Sequence, residues 1–219
     1  MERERGSKVI AIVALCVGVV GLSLGFAAFS SQLAIKSSAT VTPDAGEFSV
    51  VFANAQNPEA EGGATASAAT IGSDTVTGAE GETITRSTIT LNDVKFTAPG
   101  QKVTYTFDAS NTGKYIAYLN SVEFKTAEGG AEFVKCTAKT GTDQAKVDSA
   151  CDDITLTLSV DGTTYEGTDT AINSKDIAIG GTEEMTVVIE YAEKDANILA
   201  DGEFEVAFGE IELVYSSVD

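Results

Sequence analysis

The sequence predicts an all-β protein: a single antiparallel jelly-roll or β-sandwich domain that follows an N-terminal hydrophobic signal helix. Short segments in which apolar and polar residues alternate recur along the chain, and Gly, Pro, Asn and Asp residues separate them. Beyond residue 29, only the stretch 137–150 has helical character, and that character is weak. We therefore expect roughly eight to ten short strands.

The first 27 residues are predicted to be a signal peptide that is cleaved between Ala27 and Ala28. Residues 9–29 carry no charge, follow a basic start and have small residues at Gly25 and Ala27, as secretory signals do. The apolar run is also long enough to cross a bilayer as a helix, so an uncleaved signal anchor is the alternative. In both cases the rest of the chain is expected outside the cell, with membrane contact only through residues 9–29.

Residues 28–41 are predicted to form an extended N-terminal segment that precedes the domain proper at 42–219. Its apolar positions are Phe29, Leu33, Ile35, Ala39 and Val41. Such a segment can pair with its own domain, or it can enter a groove of a neighbouring subunit as a donor strand. A head-to-tail contact of the second kind does not close, so it builds a filament. The sequence is compatible with pairing inside the same subunit and with donation to a neighbour.

Within the domain, alternation predicts strands at residues 48–52, 103–107, 154–160, 185–191 and 204–215. The stretch 83–97 is rich in Thr, Ile and Val, which predicts one long strand or two short ones, and 115–124 is apolar on both faces, as a central strand is. The stretch 54–81 is rich in small and acidic residues, which predicts a mobile loop or a weak edge hairpin. Asp161-Gly162 is a hairpin turn signal. In the last strand the apolar set moves from even to odd positions at Gly209, which suggests a β-bulge.

Charge and cysteine placement bear on the partners and on the compartment. The formal net charge of −19 argues against binding to nucleic acid or to an anionic membrane, because such a surface repels both. Cys136 and Cys151 lie in the exported part, where an even pair of cysteines predicts a disulfide. Closing a loop of this length contributes about 3 kcal/mol in the chain-entropy model. Cys16 is expected to be a small apolar residue of the signal segment.

No catalytic site, metal site or cofactor is expected. The chain has no histidine, which excludes Ser-His and Cys-His nucleophiles and the His-Glu-x-x-His zinc helix. Glu203/Glu205 and Glu210/Glu212 alternate with apolar residues, so we expect a solvated strand face rather than the carboxylate pair of a glycosidase. Weak Ca²⁺ binding is conceivable at the acidic loops Asp152-Asp153 and Asp161-Gly162, although no twelve-residue loop of the required spacing is present.

Three stretches of the chain carry a family resemblance. They are the export junction Ala27-Ala28-Phe29, the block Pro99-Gly100-Gln101-Lys102 … Phe107 … Asn111-Thr112-Gly113 … Ile116-Ala117, and the apolar strand Phe204–Tyr215. In order and spacing they resemble the TasA/camelysin family of secreted bacterial matrix proteins. The resemblance implies a jelly-roll domain, processing by a dedicated signal peptidase, and fibres in which each subunit gives an N-terminal donor strand to its neighbour in a biofilm matrix. Camelysin is described as a metalloprotease, but the chain has no recognisable zinc site, so that activity is not carried over.

The leading functional hypothesis is therefore a secreted structural subunit that polymerises head-to-tail by donor-strand complementation into extracellular biofilm-matrix fibres. Its partners would be further copies of the same chain and, during export, a signal peptidase. The alternative is a membrane-tethered, monomeric surface adhesin or binding module that keeps its N-terminal helix. An extracellular hydrolase is the third and weakest hypothesis.

Overall fold

The described part of the chain consists mostly of β-strands, which confirms the predicted all-β class. The computed structural model describes residues 30–36, 40–41, 48–77, 81, 83–165, 169–170, 176–193 and 204–217. Residues 31–219 form one compact unit and residues 1–30 another, of which only Ser30 is described. The strands are β1 (Ser30–Lys36), β2 (Thr40–Val41), β3 (Val50–Ala53), β4 (Glu59–Glu61), β5 (Thr65–Thr77), β6 (Thr83–Lys95), β7 (Gln101–Asn111), β8 (Ala117–Phe124), β9 (Val134–Ala138), β10 (Ile154–Val160), β11 (Thr163–Tyr165), β12 (Asp169–Thr170), β13 (Asp176–Ile177), β14 (Thr182–Tyr191), β15 (Phe204–Phe208) and β16 (Glu210–Ser216), and the helix is α1 (Gln144–Cys151).

These strands form three sheets. The first sheet has the strand order β12-β8-β16-β1-β6-β5, with β13 also paired to β8 and β2 to β1. The second has the order β11-β10-β14-β7-β3, with β4 also paired to β7, and the third contains only β15 and β9. The long ladders β5–β6, β7–β14, β8–β16 and β10–β14 are antiparallel, whereas β1 runs parallel to β6.

The first and second sheets pack against each other around the main core. Along β7 and β14 every second residue is buried, which is the pattern of strands with one face on a core. Both sheets contribute fully buried side chains, among them Ile89, Leu119, Ile211 and Tyr215 from the first and Tyr105, Phe107, Met185 and Ile189 from the second. A hydrogen bond joins the two sheets, because the backbone N of Phe52 donates to Oγ of Ser87 at 3.0 Å.

The stretch 54–81 is largely β-strand, so the expected edge hairpin is right and the mobile loop is wrong. Its main element, β5, pairs with β6 and forms the edge of the first sheet. Threonines oppose one another across this ladder, at Thr70 with Thr90 and at Thr75 with Thr85. Because β-branched side chains favour the extended backbone, these threonines support a strand that has few large apolar residues.

Residues 204–215 form two strands in different sheets, which corrects the predicted β-bulge at Gly209. β15 pairs with β9, β16 pairs with β8, and Gly209 lies between them. The backbone N of Gly209 donates to the carbonyl of Phe133 at 2.7 Å. A Cβ at this position would lie only 1.7 Å from the carbonyl oxygen of Lys125. Glycine therefore allows the backbone to pass very close to a second segment where the chain changes sheets.

The helix α1 begins in the stretch 137–150, for which weak helical character is predicted, and ends one residue beyond it at Cys151. The Asp143 side chain caps it by accepting a hydrogen bond from the backbone N of Ala145 at 3.0 Å, as short polar residues do at a helix start. The helix contributes to a second, smaller core formed by Cys136, Val147, Ala150, Ile154 and Tyr191. Within the described ranges, no helical segment has both the length and the apolar character needed for a bilayer crossing.

Candidate assembly site around the N-terminal strand

The N-terminal strand β1 lies inside the first sheet, with β16 on one side and β6 on the other. Ala34 is in register with Thr88, and Ile35 with Ile89. Ile35 thus takes the register position opposite Ile89, which is fully buried. β1 thus fills a gap one strand wide between β6 and β16, here called the strand gap.

The two strands that border the strand gap carry apolar side chains toward the second sheet. The buried apolar residues on them are Ile89, Leu91, Ile211, Leu213 and Tyr215. At about 25 cal/mol per Å² of apolar surface, such side chains contribute roughly 1.5–3 kcal/mol each when they are fully buried. A strand in the gap completes this apolar face, and an empty gap would expose part of it to water.

A buried polar pair lies at the end of β16. The hydroxyl of Tyr215 donates to Oε2 of Glu183 at 3.0 Å, which connects β16 with β14 of the second sheet. Both residues are buried. Burial, reinforced by the carboxylate of Glu183, raises the pKa of the Tyr215 hydroxyl well above its usual range. The hydroxyl therefore stays protonated and remains a donor at neutral pH.

The opposite face of the same sheet carries a cluster of charges that reaches across the strand gap. On β6, Arg86 alternates with the core-facing Ser87, and its Nη1 donates to Glu210 Oε1 at 3.1 Å and to Glu212 Oε1 at 3.3 Å on β16. Its Nε lies 3.6 Å from Asp74 Oδ1 on β5. Lys125, which follows β8, pairs with the second carboxylate oxygen of Glu212. These five charged residues, Asp74, Arg86, Lys125, Glu210 and Glu212, are called the Arg86 cluster below.

The burial of this cluster contradicts part of the sequence analysis. The expected solvated face holds for Glu205, which is exposed, but it is wrong for Glu212, which is only 7% exposed. Arg86 is 4% exposed, and its burial was not predicted. One signal was available: Arg86 is the only arginine after Arg5, and arginine suits buried ion pairs better than lysine because its guanidinium is planar and forked.

The predicted donor residues are only partly described. Leu33 and Ile35 lie in β1 and Val41 lies in β2, whereas Ala27, Ala28, Phe29 and Ala39 lie outside the described residues. β2 is antiparallel to β1, with Leu33 opposite Val41. The described parts of residues 28–41 are thus two short strands that pair with each other, and residues 28–29 and 37–39 lie outside the described ranges.

The Asn111-Thr112-Gly113 motif anchors the loop that follows β7. Asn111 has no exposed surface, and its Nδ2 donates to the carbonyls of Tyr115 and Ile177 at 2.7 Å and 2.9 Å. Its Oδ1 accepts from the backbone N of Gly113 at 3.0 Å. The side chain thus satisfies three backbone groups, two in the loop after β7 and one on β13, a structural role that explains the asparagine without any chemical activity.

The Pro99-Gly100-Gln101 motif performs a similar task at the start of β7. Oε1 of Gln101 accepts from the backbone N of Thr97 at 2.6 Å, and its Nε2 donates to the carbonyl of Gly62 at 2.9 Å. Gly100 has a φ of 82°, a backbone conformation in which glycine has no steric penalty. The motif therefore fixes the turn between β6 and β7 and ties it to the loop before β5.

Cys136 on β9 and Cys151 at the end of α1 form a disulfide bond, with a Cα–Cα distance of 5.9 Å. The bond joins β9 to α1, so it belongs to the smaller core and not to the strand gap. An open cleft of about 640 Å³ lies beside it. The lining residues include Glu132, Asp148, Asp152 and Lys135. The Nζ of Lys135 donates to the carbonyls of Glu128 and Gly129, so this lysine fixes the preceding loop.

Among the described residues, no group of three or more His, Cys, Asp or Glu side chains is arranged to hold a metal ion. Of the acidic loops considered for Ca²⁺, Asp152 and Asp161 are exposed, whereas Asp153 is buried. The absence of a cofactor stays an expectation.

Comparison of the chain with protein-family models, with curated proteins and with solved structures found no match.

Proposed function

We propose that the chain is a secreted structural subunit that polymerises head-to-tail into extracellular fibres by donor-strand complementation, with a jelly-roll domain as the repeating unit. The observation that carries the proposal is the position of β1 between β6 and β16. A strand that reaches the sheet from the N-terminal end of the chain can be supplied by its own subunit or by the next one.

The energetics of the strand gap permit such an exchange. The backbone groups of β6 and β16 that face the gap need partners, and the apolar face behind them needs cover. A neighbour's residues 28–41 would restore the same hydrogen bonds and the same apolar contacts. Exchange between identical strands is thus close to neutral per site, and the additional subunit contacts in a fibre decide the equilibrium.

Two further observations agree with export and assembly. A disulfide such as Cys136–Cys151 persists in oxidising compartments outside the cytosol. The resemblance of the export junction and of the Pro99–Ala117 block to the TasA/camelysin family suggests signal-peptidase processing and a biofilm-matrix role. The polar residues of that block serve the turns at both ends of β7, so the resemblance concerns architecture rather than an enzymatic site.

The first test combines N-terminal mass analysis of the exported protein with negative-stain electron microscopy of the same sample. We expect a chain that starts at Ala28 and forms filaments. Ile35→Asp should abolish the filaments because it puts a charge at the register position of the buried Ile89. Ile179→Asp is the matched control, since Ile179 is 60% exposed and its replacement should leave the filaments intact.

Three outcomes would overturn the proposal. Filaments that form normally with Ile35→Asp, or after deletion of residues 28–35, would show that the N-terminal strand is not the connector. An intact Met1 start together with single globular particles would favour the membrane-tethered adhesin. Circular dichroism of each variant separates loss of assembly from loss of the fold.

A further inference from the structure

We propose that the Arg86 cluster is a latch over the strand gap that controls how fast a strand leaves or enters it. This inference rests on the proposed function, because a latch matters only if β1 exchanges. It gives a kinetic role to Arg86, Glu210 and Glu212. Burying these charges costs desolvation free energy, and a role in assembly would account for that cost.

The geometry places these side chains across the exit of the gap. β6 and β16 flank β1 at its two edges, β2 also pairs with it at Leu33, and the second sheet packs on the core face. The face opposite the core is the remaining side, and the Arg86 cluster lies on that face. Arg86 stands two positions before Thr88, so the parallel register brings it level with β1 and not beyond its end.

The contact lengths match a gap of one strand. Two strands that are separated by a third lie about 9.5 Å apart, twice the usual spacing between neighbours. An arginine and a glutamate that extend toward each other bridge such a distance, and Arg86 reaches Glu210 at 3.1 Å. The bridge therefore fits over a single strand, whether that strand comes from the same chain or from another.

Burial makes the bridge slow to open. The side chain of Arg86 is 5% exposed and that of Glu212 is 9% exposed, so water and salt screen the pair weakly. Parting them leaves charges that are incompletely solvated, which is strongly unfavourable. A strand that passes out of the gap must part them, and they close again over the strand that replaces it. The latch thus changes the rates of release and entry more than the final equilibrium.

The test uses the exported full chain with Arg86→Met, which removes the charge and keeps most of the side-chain length. Hydrogen–deuterium exchange should show residues 30–36 opening about tenfold faster or more, while β10 in the other sheet changes little. A fluorescent peptide with the sequence of residues 28–41 should be incorporated faster by a similar factor. Arg86→Lys should be intermediate because a single ammonium group cannot hold all three carboxylates at once.

Lys102→Met is the matched control. Lys102 pairs with Glu61 at 2.9 Å between β7 and β4 of the second sheet. Lys102→Met therefore removes one positive charge without touching the strand gap. The exchange rate of residues 30–36 and the rate of peptide incorporation should both stay at the wild-type value. If Arg86→Met does not fold, Arg86→Met combined with Glu212→Gln removes both charges and serves instead.

The outcomes separate the latch from the proposed function. Wild-type rates in a folded Arg86→Met chain, or equal acceleration in β10 and in residues 30–36, would overturn the latch. If residues 30–36 open faster but no peptide enters the wild type or the variant, the Arg86 cluster limits the opening of β1, but strand exchange falls and the role of the cluster in assembly falls with it. If the peptide enters both chains at the same rate, strand exchange stands and the latch falls.

Discussion

Gly209→Ala should destabilise the protein severely, because Gly209 is the point at which the chain passes from the third sheet into β16. The new Cβ would lie 1.7 Å from the carbonyl oxygen of Lys125 and 2.9 Å from Cδ2 of Phe133. Ordinary contacts need at least about 3.4 Å, so the backbone must move by more than an ångström. That movement would break two hydrogen bonds, from Gly209 N to Phe133 O at 2.7 Å and from Lys125 N to Glu210 O at 2.8 Å.

The magnitude follows from these two effects. Forced overpacking costs about 1–3 kcal/mol, and each lost backbone hydrogen bond costs about 1 kcal/mol. Together they predict a loss of about 3–5 kcal/mol in the free energy of unfolding, a large share of the total for a domain of this kind. Because β16 begins at Glu210, directly after Gly209, β16 and the border of the strand gap should be disturbed as well.

Urea unfolding monitored by circular dichroism measures this loss, with Gly72→Ala as the control. Gly72 lies in β5, and a Cβ there would meet only the rotatable Oγ1 of Thr88, at 3.0 Å. The control should therefore lose less than about 1 kcal/mol. If Gly209→Ala unfolds within about 0.5 kcal/mol of the wild type, the close approach to Lys125 is not a real constraint and the reasoning fails.

Three further predictions concern the domain itself. Asn111→Ala should lower the free energy of unfolding, measured with urea, by about 2–4 kcal/mol, because it leaves buried carbonyl groups without a donor. Asn120→Ala is the control: it loses one hydrogen bond to Ser216 and should lower the same free energy by about 1 kcal/mol. Cys136→Ser combined with Cys151→Ser should lower stability by about 3 kcal/mol, and an unchanged melting temperature would contradict this. Burial raises the pKa of Tyr105 to about 12, above the usual value of 10 that applies to the unfolded chain. Its contribution to stability is therefore complete below pH 10 and is lost as the pH rises toward 12. Tyr105→Phe should make the alkaline decline of the melting temperature shallower without abolishing it, because the pKa of Tyr215 is raised as well.

Regular alternation made most of the main core predictable. The runs 103–107, 154–160 and 185–191 are all strands with one buried face, and Asp161-Gly162 forms the expected hairpin turn with positive φ at both residues. These features depend on local side-chain periodicity and turn chemistry, which a sequence displays directly.

Other features depend on contacts between distant segments, and alternation does not reveal those. Gly209 marks a change of sheet because Lys125 and Phe133 come close to it, although neither is near it in sequence. The burial of Glu212 likewise depends on Arg86, which precedes it by 126 residues. A charge that alternates with apolar residues predicts a solvated face only when no opposite charge covers it.

The central claim is that β1 fills the strand gap of a neighbouring subunit in the fibre, and disulfide trapping tests it most directly. Ala34 and Thr88 face each other across the parallel β1–β6 ladder, so the Ala34→Cys/Thr88→Cys variant should cross-link wherever β1 is seated. Thr70→Cys/Thr90→Cys, which joins β5 to β6 within one chain, is the control. We predict that oxidised fibres of the first variant give a ladder of covalent multimers on a non-reducing gel, whereas the control gives a single monomer band. Fibres of the first variant that run only as internally cross-linked monomers would contradict the account.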